Sequence, residues 1–341
     1  MVAMAGAGSE RGALAGVSGP VDVVVTGADG FVGRALCARW RDAGIAFRGL
    51  VRRLTPDTAA RPDMVPIGDL ATIRDYALGC VLSSATTLLH LAGRAHVMGR
   101  RIPEPASAYR VVNALATERI ARAAAAAGVG HFIFASTVKV SGESTLPGRP
   151  LRETDPPHPR DDYAASKWEA EQLLADVARD TGMRVTVLRL PLLYGPAMKG
   201  NLARLRRAIE RGVPLPLAAI DNRRSLLGVT NFASAVDTLR VQSARDGGAA
   251  TYFVADAEAV STPVLVRAMA GALGVAPRLV HVPVGALRFA AACAGAGEQM
   301  DRLAGSLEVD TTAFRTDFSW APPVALGEGL AQALRADSAA E

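Results

Sequence analysis

The sequence predicts an α/β protein, a doubly wound parallel sheet followed by a smaller, mainly helical C-terminal substrate domain. Three features carry this. Val21 to Thr26 is a run rich in β-branched residues that leads into a glycine-rich turn and a helix. Apolar strand-like runs then alternate with longer helical segments up to about residue 195, the order that builds a parallel sheet through crossover helices. Beyond that point helices are broken heavily by Pro and Gly.

The chain has 341 residues, 50% apolar and 21% charged, which suits a soluble globular protein of one large or two smaller domains. Its formal charge is +5, with the basic residues scattered and no basic-aromatic stripe. That argues against nucleic acid as a partner and is compatible with an anionic small molecule. Cys37, Cys80 and Cys293 are far apart and make no CxxC or Cys/His metal spacing. Buried free thiols in a reducing compartment are the expectation, with no metal. Residues 1–20 are Gly/Ala/Ser-rich and read as a disordered extension rather than a signal peptide. The late apolar stretch from Val284 is short and contains Arg288. It is expected to be a buried helix, not a membrane span. A cytoplasmic protein with no membrane partner follows.

In chain order, strand 21–26 meets Gly27-Ala28-Asp29-Gly30-Phe31-Val32-Gly33 and a helix from about Arg34 to Ala43. Gly27 permits the tight turn, Gly30 lets backbone approach a pyrophosphate, and Gly33 lets helix pack on strand. The predicted topology is therefore Rossmann-like, with a dinucleotide at the turn. The second strand, about Ala46 to Val51, ends at Arg52-Arg53 with no acid. Arginine there either stays solvated or meets a 2′-phosphate, which favours NADP(H) over NAD(H). Asp69, in Gly68-Asp69-Leu70, is placed to hold an adenine. Strand 87–91 leads to Leu91-Ala92-Gly93, small residues that let a cofactor lie close. One long helix is expected from about Ala106 to Ala127, carrying Asn113. Strand 131–135 delivers Ala135, Ser136 and Thr137 to the carboxyl edge of the sheet, where ligands sit in such folds. A strand at 184–188 leads to Pro191 and Tyr194-Gly195-Pro196. Lys199 and Arg224 are candidates for substrate phosphates.

Between these strands lies Asp161-Asp162-Tyr163-Ala164-Ala165-Ser166-Lys167 at a helix start. The four-residue spacing puts Tyr163 and Lys167 on one helix face. An ammonium beside the phenol is expected to lower the tyrosine's pKa and fit it for proton transfer.

GADGFVG, HLAGRAHVM, FASTVKVSGE, DDYAASKWEAE, RLPLLYGPAMKGNLARL, NRRSLLGVTNFASAV and RLAGSLEVD together resemble the extended short-chain dehydrogenase/reductase family. Within it they resemble the NAD(P)-dependent nucleotide-sugar epimerase/dehydratase group, above all UDP-sugar 4-epimerases and 4-ketoreductases of O-antigen and capsule synthesis. The likeness runs from about Val21 to Pro323. It implies Tyr163 as catalytic acid/base, Lys167 as its partner and Thr137 as the catalytic hydroxyl beside Ser136. It implies Gly27, Gly30, Phe31 and Val32 at the cofactor diphosphate, Asp69 and Leu70 at adenine, Leu91 to Gly93 at ribose and Pro191 near nicotinamide. Asn201, Arg224 and a second arginine, Arg302, would hold a UDP- or dTDP-linked substrate. A homodimer is implied. The implied domains are 21–195, with 225–255 returning to it, and 196–224 with 256–330; 331–341 would be a tail.

Three departures narrow the activity. Leu192 replaces an Asn of many relatives, Ser141 replaces a Tyr, and Val138-Lys139 replaces the Asp-Glu pair of dehydratases. The last disfavours 4,6-dehydration. Arg52 favours a 4-ketoreductase using NADPH over a 4-epimerase retaining NAD. A non-catalytic NADP-sensing regulator is the reading of a different class, and intact Tyr163 and Lys167 count against it.

Overall fold

The structure, a computed structural model, describes residues 19–94, 105–146, 148–242 and 247–338. The expected extension lies outside the described residues up to residue 18, as does the AHVM end of the HLAGRAHVM motif. In order come β1 (Val21–Thr26), α1 (Phe31–Asp42), β2 (Phe47–Val51), α2 (Pro56–Ala59), β3 (Met64–Pro66), α3 (Asp75–Leu82), β4 (Ala85–His90), α4 (Ala106–Arg110) and α5 (Ala116–Ala126). Then follow β5 (His131–Thr137), α6 (Asp162–Thr181), β6 (Arg184–Leu190), β7 (Leu192–Tyr194), α7 (Gly200–Glu210), β8 (Leu226–Gly228), α8 (Val229–Val241) and β9 (Gly248–Phe253). The chain closes with α9 (Thr262–Leu273), α10 (Val284–Cys293), α11 (Gly297–Ala304), α12 (Thr312–Asp317) and α13 (Leu326–Ser338).

Seven strands form one sheet in the order β3-β2-β1-β4-β5-β6-β9. β1 pairs in parallel with both β2 and β4, so the winding reverses between β1 and β4. That is the switch point where open α/β sheets bind ligands. Both faces are covered, and Val23, Val24 and Val25 are fully buried, which is why these three read as a continuous apolar run.

The chain divides into two compact units. The first runs to Val140 and adds Asp161–Leu188 and Arg240–Thr251; the second holds Ser141–Arg160, Arg189–Leu239 and Tyr252–Glu341. The returning segment is thus shorter than the expected 225–255. The reason is pairing: β9 joins the large sheet, whereas β8 pairs with β7 in a separate two-stranded sheet.

Five further expectations are corrected. α1 begins at Phe31, with extended Gly30 as its N-cap, so Gly33 lies inside the helix. The long helix after residue 106 is interrupted by a π-helical turn, Val111–Leu115. The expected tail is α13, whose Leu330, Ala333 and Leu334 recur at helical spacing and are buried. α10 buries no residue, and Phe289 is 73% exposed; its alanines offer little area to bury, and Arg288 turns to Asp301 of α11 at 3.3 Å. Of the cysteines only Cys37 is buried; Cys80 and Cys293 are exposed.

Candidate active site

The first unit gathers most of the predicted residues. Gly27 has φ +69°, a conformation that L side chains rarely adopt. A Cβ on Gly33 would lie 2.2 Å from the Gly27 carbonyl, so only glycine lets α1 start this close to the turn. No side chain caps α1 at Gly30. The open N–H groups of its first turn, at Phe31 and Val32, suit an anion and add to the helix dipole. Across the switch point the Ala92 N–H donates to Thr26 Oγ1 at 3.1 Å. A Cβ on Gly93 would meet Asn113 Oδ1 at 3.2 Å and Lys167 Nζ at 3.7 Å, so this glycine opens space beside the predicted catalytic lysine. Turn, helix end and bare edge together fit a dinucleotide. Arg52 is exposed at the end of β2, and no carboxylate stands in its place. Asp69 is exposed, and its carboxylate accepts the Ala71 N–H at 2.9 Å; Leu70 beside it is half-buried.

Tyr163 and Lys167 sit in the first turns of α6. Asp161 is its N-cap, accepting the Ala164 N–H at 2.7 Å. The Asp161 carboxylate is also bridged by Lys139 Nζ at 2.6 Å. Lys139 N–H in turn donates to Thr137 Oγ1 at 3.3 Å, which ties the end of β5 to the start of α6. Lys167 is buried; its ammonium donates to the Ala135 carbonyl at 2.7 Å and lies 4.1 Å from the Phe134 ring centroid.

The electrostatics correct one expectation. Burial, with a smaller contribution from Asp161, pushes Tyr163 up to about 12. Lys167 is pushed down to about 7 by burial, against the pull of Glu171. The lysine does not lower the tyrosine's pKa here, because its charge is itself disfavoured and its ammonium is engaged by Ala135 and Phe134. Ser136, expected beside the cofactor, has a partner within the fold. Its hydroxyl is buried and donates to Glu171 of the same helix at 2.5 Å, so it braces β5 against α6.

Asn113 is the residue that sequence reasoning named without a role. It is buried in the π-helical turn. Its amide donates to the Arg94 carbonyl and to Ser166 Oγ, both at 3.0 Å, and its oxygen accepts the Arg94 N–H at 2.7 Å. Ser166 Oγ donates to the Tyr163 carbonyl at 2.8 Å. One amide thus links the loop after β4 to α6, the helix that carries Tyr163 and Lys167. A lone amide among alanines was the available signal.

The second unit holds the remaining candidates. Pro191 is buried between β6 and β7, Lys199 is exposed just before α7, and Asn201 is exposed in the first turn of that helix. Arg224 is less free than expected. Its Nη1 donates to the Arg302 carbonyl at 2.6 Å and to the Gly305 carbonyl at 3.0 Å, and burial lowers its pKa. Arg302 pairs with Glu143 at 3.8 Å.

A glycine turn at the switch point of a doubly wound sheet, with half-buried Tyr163 and buried Lys167 on the helix after β5, is the arrangement expected of a dinucleotide-dependent oxidoreductase of the short-chain type. The sequence profile of the NAD dependent epimerase/dehydratase family matches residues 23–255. A UDP-glucose 4-epimerase of Vibrio cholerae is 34% identical over 93% of this chain and 95% of the relative. The chain therefore belongs to the NAD dependent epimerase/dehydratase family, within the extended short-chain dehydrogenases/reductases, and is an enzyme of that family. A 2-alkyl-3-oxoalkanoate reductase of Stenotrophomonas maltophilia (strain K279a) is 27% identical over 93% of this chain and 99% of the relative. Among solved structures, MoeE5 in complex with UDP-glucuronic acid and NAD is similar at TM-score 0.72 and 28% identity, covering 94% of this chain and all of that one.

Proposed function

We propose that the chain moves hydride at C4 of a hexose carried on a nucleoside diphosphate, UDP or dTDP, reducing a 4-keto sugar for surface polysaccharide. The sugar nucleotide is supported by the Vibrio cholerae relative, named for UDP-glucose, and by the UDP-sugar bound to MoeE5. The observation that carries the direction is exposed Arg52 where a carboxylate would serve a ribose 2′-hydroxyl. It favours NADPH, which would give up its hydride and leave as NADP⁺ after each turnover. When bound, the nicotinamide supplies the hydride. Tyr163 gives its phenolic proton to the oxygen developing at C4, and Thr137 Oγ1 donates to the same oxygen. Lys167 orients the ribose and steadies Tyr163. Gly27, Gly30, Phe31 and Val32 are assigned to the cofactor diphosphate, Asp69 and Leu70 to the adenine, Leu91 to Gly93 and Ala135 to the ribose, and Pro191 to the nicotinamide. Lys199, Asn201, Arg224 and Arg302 are assigned to the substrate diphosphate, whose binding energy would position the sugar. A homodimer in the cytoplasm goes with this reading.

A second reading, 4-epimerisation with retained NAD, is favoured by the name of the same Vibrio cholerae relative. Denaturing the purified enzyme and identifying what is released separates the two. NADPH-dependent loss of a UDP-4-keto-hexose with no nucleotide retained is the expected outcome. Stoichiometric NAD⁺, with UDP-glucose and UDP-galactose interconverted, overturns the reductase. Turnover of a 3-oxoalkanoate alone overturns the sugar reading as a whole.

A further inference from the structure

His90 ends β4 and is 1% exposed. Both ring nitrogens are engaged: Nδ1 lies 2.8 Å from Thr26 Oγ1, and Nε2 lies 3.0 Å from Thr117 Oγ1. The protons can be counted. Thr117 has one hydroxyl proton and gives it to the Asn113 carbonyl at 2.8 Å, so toward His90 it can only accept, and Nε2 carries the proton. Thr26 Oγ1 already accepts the Ala92 N–H. Its own proton is free for Nδ1, which is bare in the neutral ring. Burial, with Lys167 as the charged group acting on the ring, pushes His90 down to about 3, consistent with that count. The donors then run one way, from Ala92 N–H through Thr26, His90 and Thr117 to the carbonyl of Asn113.

The two ends of this chain are parts of the site. Ala92 belongs to the bare edge beside the glycine turn, and Asn113 holds Arg94 and Ser166. The imidazole also stacks on Phe134, with centroids 5.9 Å apart and planes at 19°. Phe134 in turn carries the Lys167 ammonium.

We propose that His90 is a positioning residue: as the neutral Nε2–H imidazole it joins the cofactor edge at Ala92 to Asn113 and, through Phe134, sets the place of Lys167. A core histidine that only fills space would need neither a fixed tautomer nor both threonines. The inference rests on Tyr163 and Lys167 being the catalytic pair, but not on the identity of the sugar.

The first test uses the full-length protein without substrate. Nitrogen-15 spectra of the histidine rings, with His90 assigned by its loss in His90→Gln, should show an Nε2–H ring that does not titrate between about pH 5 and 8. An Nδ1–H ring, or titration near the ordinary histidine pKa, overturns the proposal. The second test is kinetic. His90→Leu should lower kcat about tenfold or more with KM for the sugar nucleotide nearly unchanged, and His90→Gln, which keeps a donor toward Thr117, should recover most of it. Equal loss in both variants, or loss in neither, overturns the proposal. If His90→Leu does not fold, Thr117→Val takes its place: it removes the hydroxyl at constant shape and should reproduce the kcat loss and perturb the Nε2–H signal. No change in either counts against His90. A wild-type enzyme without turnover of any sugar nucleotide speaks against the sugar, and the spectra still decide the tautomer.

Discussion

Burial pushes the Tyr163 phenol up to about 12, so in the proposed mechanism it starts protonated. That suits an acid for ketone reduction, and Tyr163→Phe should cut turnover by a factor of about 10² to 10⁴, measured as NADPH oxidation. Lys167 gives a pH signature that needs no substrate. Its folded pKa, about 7, lies below the ordinary lysine value of 10.5, so between these values the unfolded chain binds more protons than the folded one. Stability attributable to Lys167 therefore rises with pH through that window and is lost as pH falls toward 7. Lys167→Met removes the titrating group, and its melting temperature should depend less on pH over this range. An unaltered slope in calorimetry would mean that Lys167 is not buried as described. The sequence displayed the Tyr163/Lys167 spacing but had the direction of the tyrosine's shift wrong. Direction depends on burial and on what else engages the ammonium, namely Ala135 and Phe134, and neither is local in sequence.

Elements differ in how openly the sequence announces them. β1, the turn and α1 are legible because the chemistry is local: three glycines, each with a distinct steric reason. The strongest reason is Gly33, where a Cβ would fall 2.2 Å from the Gly27 carbonyl and 2.8 Å from Ala28 Cα. Both are backbone atoms, so Gly33→Ala has no flexible side chain to push aside. It should displace α1 from the turn and weaken NADPH or NADH binding by about tenfold or more, read by quenching of cofactor fluorescence. Binding at wild-type affinity would show that the turn does not hold the diphosphate. The π-helical turn at Val111–Leu115 was invisible by contrast. Its residues carry ordinary helical spacing, and the extra residue is accommodated by partners far along the chain, with Asn113 on Arg94 and Ser166. α10 was misread for the opposite reason: its composition is apolar, but composition does not supply a neighbour to pack on.

The division of the molecule into two units was the least legible, because each unit is assembled from segments that lie far apart in sequence. Strand pairing decides it, and β8 could be assigned to β7 rather than to the large sheet only once both were seen. The same reasoning governs the chain's end. Had 331–341 been a tail, its deletion would be silent. In α13, however, Ala333 and Leu334 are 1% and 2% exposed, and Gln332 lies 3.3 Å from Thr230 at the start of α8. The helix also lines a cavity of about 60 Å³ with Tyr194, Gly228 and Asn231. Just before it, Asn231 holds Val324 by both N–H and carbonyl, at 2.9 and 2.8 Å. A buried leucine contributes about 1.5–3 kcal/mol, and the deletion also takes Gln332 and Ala333 from the wall of that cavity, which adds to the loss. Deleting residues 331–341 should therefore destabilise the protein by about 3 kcal/mol or more, a large share of the stability of a typical domain. Urea denaturation followed by circular dichroism measures this. A deletion variant with the wild-type midpoint would return the segment to the status of a tail and remove α13 from the core of the second unit.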